Sequence, residues 1–179
     1  MRRSYFDFCL NKKVIETHHP YYFDLKFFAL YTSTQDITNN ELHIPKNLSW
    51  ITRSSNPDIK NALRESVHQN YLLAECGCIK IVRPRIGAPL KPSGDWWLEL
   101  TPELIKSAYQ SNRLLIWLKN TIRAFGIKRV VFSSVLEKPP SMRDLLVAAA
   151  IILDYNPQVF DEIIKTNSKR LVDEIYEIL

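Results

Sequence analysis

The feature of this sequence that most restricts its fold is the alternation of short apolar segments with helix-like ones. The apolar segments have the length and the residue types that are typical of strands. They cover 4–10, 26–32, 48–53, 71–74, 78–82, 96–100 and 129–133. Strands that alternate with helices predict a parallel α/β sheet or barrel. A complete barrel of eight strand–helix units needs about 200 residues or more. Because the chain has 179 residues, we expect a pared-down, TIM-barrel-like α/β fold in which loops replace some helices.

Capping residues indicate where the helices begin. Asn-Pro-Asp at 56–58 combines an N-cap residue, a proline at the first helical position and an acid in the first turn. This pattern predicts a helix over 56–70. Thr-Pro at 101–102 predicts the start of a second helix. That helix is expected to reach Gly126, a natural stop, and to break near Ser111.

The last third of the chain is predicted to form three helices after the final strand. Ser141, with Asp144 three residues later, resembles a capping box and begins the first of them. Asn156 begins the second helix and Ser168 the third. We therefore expect one domain over residues 1–179 with C-terminal helices, for which 46% hydrophobic residues supply a core.

Nothing in the sequence predicts a membrane span or a secretory leader. The longest apolar run, 145–153, is far shorter than the roughly 18 residues that a span needs, and Asp7 interrupts the apolar run near the N-terminus. The cysteines, Cys9, Cys76 and Cys78, are odd in number and lack the CxxC spacing of a zinc site. We expect a soluble, cytoplasmic protein that has no disulfide framework and binds no metal.

The net charge of +5 and the isoelectric point near 9.1 favour a polyanionic partner, most commonly nucleic acid. One basic group lies in the proline-rich segment 79–94, and another lies around the start of the last strand. A basic segment that is already ordered binds phosphates at a lower entropic cost, and such binding weakens with salt. The candidate RNA-binding residues are Lys80, Arg83, Arg85, Lys91, Arg123, Lys128 and Arg129.

Tryptophan side chains are a second possible contact for nucleic acid, because bases stack on them. Trp96 and Trp97 are adjacent on one predicted strand, so they must point to opposite faces. One of the two is therefore expected in the core and the other at the surface. Trp50, on an earlier strand, is a third candidate for stacking on bases.

No group of residues predicts catalysis by this chain. The dispersed histidines are interpreted as solvated or capping side chains, and they are His18, His19, His43 and His68. Asp7 and Glu99 lie on predicted strands and need partners if they are buried. An arginine such as Arg113 is expected to supply one in a structural ion pair. Ser133 and Ser134 have no histidine or nucleophile elbow nearby, so their hydroxyls are expected to bond loop backbone.

Several short motifs have a recognisable order. A strand that ends in Ser-Ser at 133–134 is followed by a proline-bearing loop and by a helix that begins with Arg-Asp-Leu at 143–145. Upstream, Leu-Glu-Leu at 98–100 forms a strand, and Arg113 opens the long helix before the Ser-Ser strand. Asp7 lies on the first strand.

Together these motifs resemble archaeal RNase P protein component three, the archaeal relative of a eukaryotic RNase P/MRP subunit, over about residues 97–165. The sequence departs from the family pattern at three places. Val135-Leu136 stand where the family has Gly-Ala, and Pro140 and Met142 stand where the helix-start motif has an arginine and a proline.

The resemblance implies a TIM-like barrel and a role as a protein subunit of ribonuclease P, which removes the 5′ leader from precursor tRNA. In that family the RNA subunit and its Mg²⁺ carry out catalysis, so the chain itself is expected to bind no cofactor. Its expected partners are RNase P RNA, a small ferredoxin-like protein subunit in a two-plus-two assembly and, indirectly, precursor tRNA. Arg143 joins the RNA-binding candidates, and the structural motif comprises Asp7, Glu99, Arg113, Ser133, Ser134 and Asp144.

Two alternatives from other classes remain open at this point. In the first, the chain is a winged-helix DNA-binding protein with a recognition helix over 56–70 and a two-stranded wing over 78–100. In the second, it is an interaction scaffold whose basic charge has no binding role. A preference for structured RNA, for duplex DNA or for neither would separate the three interpretations.

Overall fold

The structure is a computed structural model that describes residues 3–31, 44, 48–53 and 80–177, with Tyr31, Thr52 and Lys80 described by backbone alone. Within these ranges the strands are β1 (Tyr5–Leu10), β2 (Leu25–Tyr31), β3 (Ser49–Arg53), β4 (Lys80–Val82), β5 (Trp96–Leu100) and β6 (Val130–Phe132). The helices are α1 (Lys12–Glu16), α2 (Pro20–Phe23), α3 (Pro102–Gln110), α4 (Asn112–Phe125), α5 (Met142–Ile152) and α6 (Pro157–Glu177). A 3-10 turn, Ile127–Arg129, precedes β6. The predicted helix over 56–70 and the strand over 71–74 lie outside the described residues.

The strands form two sheets of three, in the orders β1-β2-β3 and β4-β5-β6, and every pair is parallel. In the first sheet Phe28 pairs with Trp50, and in the second Ile81 pairs with Trp97. The predicted mixed α/β fold with parallel strands and C-terminal helices is confirmed. No closed barrel is present within the described residues.

The two sheets approach each other where β6 ends beside β1. The backbone N–H of Val135 donates to the carbonyl of Cys9 at 3.1 Å, and the backbone N–H of Ser134 donates to the carboxylate of Asp7 at 3.1 Å. Because the strands are parallel within each sheet and the segment after β6 bonds the end of β1, the carboxyl ends of both sheets meet at one edge. Polar residues at that edge are therefore brought together.

The two faces of the strands bury different apolar layers, because successive side chains point to opposite sides. One layer packs against the helices and includes Leu98, Phe132 and Phe160. The other layer lies on the opposite face and includes Phe8, Phe27, Ala29, Ile51, Ile81, Trp97 and Val131. Leu171 and Ile175 from the end of α6 complete this second layer.

The predicted break in the long helix is present at Ser111, which separates α3 from α4. Ser111 is extended, with φ −148° and ψ 118°, and its hydroxyl accepts a hydrogen bond from the N–H of Leu114 at 3.4 Å. Thr101 caps α3 in the same way. Gly126 ends α4 with φ +81°, a left-handed conformation that favours glycine.

The expectation of three C-terminal helices is wrong, because α6 continues from Pro157 to Glu177 without a break at Ser168. No proline or glycine interrupts this stretch. Ser168 is 1% exposed inside the helix. Its neighbour Asn167 donates to the carbonyls of Ile127 and Val130, both at 2.7 Å. These contacts anchor the middle of α6 against the start of β6.

Two short helices, α1 and α2, were not expected from the sequence. The side chain of Asn11 accepts a hydrogen bond from the N–H of Lys13, which caps α1. The Nδ1 atom of His19 accepts one from the N–H of Tyr21, which caps α2. His19 is thus a capping histidine, as predicted, and His43 and His68 lie outside the described residues.

The strand pairing also bears on the winged-helix alternative. A wing is a hairpin, and hairpin strands are antiparallel. Strands β4 and β5, which would form that wing, are parallel, with Lys80 opposite Trp96 and Val82 opposite Leu98. This pairing does not fit a hairpin wing over 78–100.

Candidate functional site

A buried polar cluster lies at the carboxyl ends of the strands. It consists of Glu99 on β5, Arg53 at the end of β3, Arg83 just after β4 and Ser133 just after β6, and we call it the Glu99 cluster. Glu99 is fully buried and Arg53 is 3% exposed. Ligand sites in parallel α/β proteins lie at this edge of the sheet, so the cluster occupies the place where a functional site is expected.

Both carboxylate oxygens of Glu99 are bonded. Oε1 accepts from Nη1 of Arg53 at 2.6 Å and from the hydroxyl of Ser133 at 2.5 Å. Oε2 accepts from Nη2 of Arg53 and from Nε of Arg83, each at 3.2 Å. The Arg53–Glu99 pair is therefore bidentate, which is the strongest geometry for an arginine and a carboxylate.

The charge state of Glu99 follows from these partners. Burial by itself would raise the pKa of Glu99, but the charge and hydrogen bonds of Arg53, reinforced by Arg83, outweigh burial and hold the pKa below its ordinary value. Glu99 is ionised at neutral pH. It therefore acts as a fixed negative charge that orients two guanidinium groups.

Arg53 also joins strands from both sheets. Its Nη1 donates to the carbonyl of Phe8 on β1 at 3.0 Å, and its Nη2 donates to the carbonyl of Ile81 on β4 at 3.4 Å. Together with the pair to Glu99, these bonds connect β1, β3, β4 and β5. A buried guanidinium has five N–H donors to satisfy, and the strand-end carbonyls supply some of the acceptors.

A second buried carboxylate, Asp7, lies on β1 with neutral partners. Its Oδ1 accepts from the backbone N–H groups of Cys9 at 3.0 Å and Ser134 at 3.1 Å. Its Oδ2 accepts from the hydroxyls of Tyr21 at 2.8 Å and Ser134 at 2.5 Å. We call Asp7, Tyr21, Ser134 and the backbone of Cys9 the Asp7 cluster.

The pKa values in the Asp7 cluster move in the opposite direction from that of Glu99. Burial raises the pKa of Asp7, and the hydrogen bonds from Ser134, Cys9 and Tyr21 oppose this effect without reversing it. Burial and the adjacent Asp7 also raise the pKa of Tyr21 well above its ordinary value, so its hydroxyl remains a donor. The cluster connects β1 to α2 and to the segment after β6.

A cleft of about 500 Å³ opens at the strand ends beside the Glu99 cluster. We call it the strand-end cleft, and the side chains that give it its character are Cys9, Lys12, Arg53, Arg83, Glu99 and Val135. Burial and the charge of Glu99 raise the pKa of Cys9, so its thiol is protonated at neutral pH. Cys9 is therefore uncharged, and the charged groups of the cleft are those of Lys12, Arg53, Arg83 and Glu99.

Val135, at the rim of this cleft, has a backbone conformation that is unusual for its type. Its φ is +56°, in the left-handed region that β-branched residues rarely adopt. This is one of the two positions at which the sequence departs from the Gly-Ala pattern of the resembled family. The backbone here has the conformation that a glycine would adopt without strain.

The predicted RNA-binding residues lie at two ends of the sheet. Arg83 lies in the strand-end cleft, and Arg85 and Lys91 are exposed in the segment that follows. Lys128 and Arg129 precede β6 and so lie at its amino end, and Arg123, on the last turn of α4, is exposed. Arg143 is exposed on the first turn of α5, and the side chain of Lys80 lies outside the description.

Arg129 is engaged within the protein. Its Nη1 lies 3.2 Å from the carboxylate of Glu174, and its guanidinium lies 4.8 Å from the ring centre of Trp97. The indole N–H of Trp97 donates to the same carboxylate at 3.0 Å. Arg129 therefore attaches α6 to the sheet, and a role in RNA binding would compete with these contacts.

Two expectations about partners are wrong. Arg113 pairs with neither Asp7 nor Glu99; it is exposed on the first turn of α4, and Arg53 occupies the predicted role instead. Ser133 and Ser134 were expected to bond loop backbone with their hydroxyls, but each donates to a buried carboxylate.

The expectations for Asp144 and the tryptophans have mixed outcomes. The N–H of Asp144 donates to the hydroxyl of Ser141 at 3.0 Å, which confirms the helix cap. Trp97 is fully buried and Trp96 is half-buried, as their opposite faces predict. Trp50 is 9% exposed and stacks on Phe28, so it is a core residue with no face open to a base.

Sequence reasoning missed Arg53 and Tyr21 as members of the two clusters. Arg53 had one detectable signal, since it ends an apolar strand and shares a face with Ile51 two residues earlier. A charged residue at such a position is expected to meet a buried partner. Tyr21 had no comparable signal, because aromatic residues in a short helix commonly belong to the core.

No family model matches this chain, and no curated protein and no solved structure matches it significantly. Across residues 3–31, 44, 48–53 and 80–177, no group of three or more His, Cys, Asp or Glu side chains is arranged to hold a metal ion. In the same ranges, no helix combines the length and apolar character needed to cross a bilayer.

Proposed function

We propose that this chain is an RNA-binding protein subunit of ribonuclease P. The observation that carries the proposal is the convergence of residues that resemble that family. Asp7, Glu99, Ser133 and Ser134 are separated by up to 127 positions, and each serine donates to one of the two carboxylates. Residues that form one site are expected to meet in space, so their convergence supports the resemblance.

The conformation of Val135 is a second support. The resembled family has glycine immediately after the two serines, and this chain has valine at φ +56°. A conformation that favours glycine at this position agrees with the alignment of the motif. We also propose that the two sheets belong to one pared-down TIM-like barrel, since Arg53 bonds strand β1 on one side and β4 on the other.

The RNA contact is proposed for the exposed basic residues at the strand carboxyl ends and after them. Arg83, Arg85 and Lys91 follow β4 in a stretch that is held in place by a hydrogen bond from the indole N–H of Trp117 to the carbonyl of Ala88 at 2.8 Å. A pinned basic segment loses little conformational entropy when it binds phosphates. Arg143 and Arg123 add positive charge elsewhere on the surface.

The chemistry of the holoenzyme is proposed to reside in its RNA. Mg²⁺ bound by RNase P RNA would supply the hydrolysis, and this chain would stabilise the catalytic RNA domain in the cytoplasm. A small ferredoxin-like protein subunit is the proposed protein partner, in a two-plus-two assembly. Precursor tRNA would be contacted indirectly, through the assembled particle.

Purification of the tagged protein from its native cell tests this proposal. We expect RNase P RNA and other RNase P protein subunits to copurify, and the eluate to process precursor tRNA in magnesium. The isolated protein, free of RNA, should process none. Processing by the isolated protein, or copurification without RNase P RNA, would contradict the proposal.

Binding measurements separate the proposal from its alternatives. Binding to structured RNA should weaken steeply with salt because each phosphate contact releases counterions. Arg85→Gln should weaken RNA binding, and Lys106→Gln, an equal charge change on the exposed side of α3, should not. A preference for duplex DNA would favour a DNA-binding protein, and binding to neither would favour a scaffold.

A further inference from the structure

A groove of about 690 Å³ lies between α6 and the 3-10 turn that precedes β6, and we call it the α6 groove. Ile127 and Lys128 of the turn form one wall, and the stretch of α6 from Gln158 to Arg170 forms the other. Asn167 donates to the carbonyl of Ile127 at 2.7 Å, and Arg170 donates to the carbonyl of Lys128. These bonds fix the two walls relative to each other, so the groove is formed before any partner arrives.

The apolar part of the lining is aliphatic. It consists of Ile127, Val159 and Ile163. Val159 is 53% exposed, and Ile163 lies four positions later on the same face of the helix. Among the described residues no aromatic side chain lines the groove, so a base would find no ring on which to stack. The lining therefore suits the side chains of a protein better than RNA.

The charges in the α6 groove are separated by sign. Glu162 precedes Arg170 by eight positions, which is about 12 Å along a helix. The bond from Arg170 to the carbonyl of Lys128 places both cations at the same end. Within the part of the chain that the structure describes, no carboxylate pairs with either cation and no cation pairs with Glu162. Lys165, three positions after Glu162, pairs instead with Asp161 at 2.6 Å.

A second copy of this chain matches both ends of the groove at once. Lys169 and Asp173, also exposed at the positive end of α6, have opposite charges and leave its sign unchanged. In a two-fold symmetric pair, residue i of one copy contacts residue j of the other, and j contacts i. An axis near Thr166, midway between Glu162 and Arg170, makes the two α6 helices antiparallel. Each negative end then faces a positive end, whereas a partner of one charge sign would match one end alone.

We propose that the α6 groove is the interface of a two-fold symmetric dimer of this chain. The convex side of α6 in each copy enters the groove of the other copy and covers Val159 and Ile163. Glu162 of each copy faces the end that Lys128 and Arg170 form in the other. The dimer is independent of the proposed function, because these residues lie outside the basic set to which RNA binding is assigned there.

Sedimentation velocity of the purified full-length protein without RNA, from micromolar to submillimolar concentration, tests the dimer. We expect an equilibrium between monomer and dimer that shifts towards dimer as the concentration rises. Val159→Lys places a cation in the aliphatic contact, and it should weaken the dimer by about ten-fold or more, because a buried unpaired charge costs several kcal/mol, or about 1.4 kcal/mol per factor of ten. Lys106→Glu changes an exposed charge on α3 that does not line the groove, and it should leave the dissociation constant unchanged.

A charge exchange tests the antiparallel arrangement. Glu162→Lys and Lys128→Glu each place like charges opposite each other, twice per dimer, and each should weaken the dimer by about ten-fold or more. The double variant restores opposite charges and should dimerise more tightly than either single variant, which is the coupling that a double-mutant cycle measures. If the double variant is no tighter than the single ones, Glu162 and Lys128 do not face each other and the proposal is refuted.

Thermal unfolding of each variant checks that it is folded. Val159, Glu162 and Lys128 are exposed, so we expect all the variants to fold, and if one does not, the other single variants still decide. A protein that stays monomeric at submillimolar concentration would overturn the proposal and leave the groove to a different protein. A dimer that Val159→Lys, Glu162→Lys and Lys128→Glu all leave unchanged would overturn it as well. Neither result bears on RNA binding, which is measured separately.

Discussion

Two buried carboxylates, bonded by the consecutive serines Ser133 and Ser134, are held in different ways in this fold. Glu99 faces the guanidinium groups of Arg53 and Arg83 and one hydroxyl. Asp7 faces two backbone N–H groups and two hydroxyls, with no cation among its bonded partners. Each is fully buried, and each is reached by one of two consecutive serines that follow β6. The pair therefore allows the partners of a buried acid to be compared at nearly constant burial.

The difference teaches that partner charge decides the role of a buried acid. The arginines lower the pKa of Glu99 against the effect of burial, so this acid is a permanent anion that positions Arg83 at the cleft. Burial raises the pKa of Asp7 because neutral donors compensate it only in part. Asp7 is therefore a structural connection between β1, α2 and the segment after β6.

The largest effect is expected from Glu99→Gln. Whichever way the new amide lies, its NH₂ group faces a guanidinium N–H, and the buried guanidinium of Arg53 loses the carboxylate that pairs with it through two hydrogen bonds. The free energy of unfolding should fall by about 3–5 kcal/mol, the cost of removing one partner of a buried ion pair. Urea denaturation at neutral pH measures this change, and a loss below about 1 kcal/mol, the level of a weak surface pair, would contradict the account.

The matched change Asp7→Asn is expected to cost less, about 1 kcal/mol. The amide oxygen can keep both backbone N–H donors, and its NH₂ can donate to the hydroxyls of Tyr21 and Ser134, which also accept hydrogen bonds. The same urea denaturation compares the two variants. A cost for Asp7→Asn as large as that for Glu99→Gln would show that the charge of Asp7 is needed after all.

The two acids should also give opposite pH dependences. Because the pKa of Asp7 is raised in the folded state, its contribution is complete below the ordinary value of 3.8 and declines as the pH rises through the folded-state pKa. Because the pKa of Glu99 is lowered, its contribution is complete above the ordinary value of 4.5 and declines as the pH falls through the folded-state pKa. Urea denaturation of the unchanged protein and both variants between about pH 3 and about pH 7 measures the two pH dependences of the free energy of unfolding. Parallel curves would refute the contrast.

The consecutive serines provide a second matched test of the two carboxylates. Ser133→Ala removes a hydroxyl that donates to the ionised Glu99, and it should cost about 1.5–3 kcal/mol. Ser134→Ala removes a hydroxyl from Asp7, which keeps three other donors, including the backbone N–H of Ser134 itself. Its expected cost is about 1 kcal/mol. Equal losses in urea denaturation would show that the two carboxylates depend equally on their hydroxyls.

The smallest effect is expected at Val135, which follows both serines. Val135→Gly removes the strain of a β-branched residue at φ +56°, and this gain is partly offset by the greater freedom of glycine in the unfolded chain. The net stabilisation should be about 0.5–1 kcal/mol. Thermal unfolding compares it with Val147→Gly, on the helix α5, where glycine should destabilise by about 1 kcal/mol. A destabilised Val135→Gly would argue against strain at this position.

Much of the local structure could be predicted from sequence. The strand over 96–100 has the predicted bounds, and β1 and β2 begin within one residue of their predicted starts. The cap at Thr101 was also predicted, because capping depends on residues three positions apart, and the helix was expected to break near Ser111. The prediction of a third C-terminal helix that begins at Ser168 was wrong, because a serine within an apolar stripe can remain helical when packing buries it.

The partners within the two clusters cannot be read from local sequence patterns. The sequence itself determined the parallel α/β class, the starts of α3, α5 and α6 and the presence of acids on strands, since periodicity and capping are local properties. Only the tertiary structure decided that Arg53, 46 positions from Glu99, is its partner, and that Arg113 is not. The physical reason is that a buried charge is compensated by whichever group lies within bonding distance in space, and strand order determines that distance independently of separation along the chain.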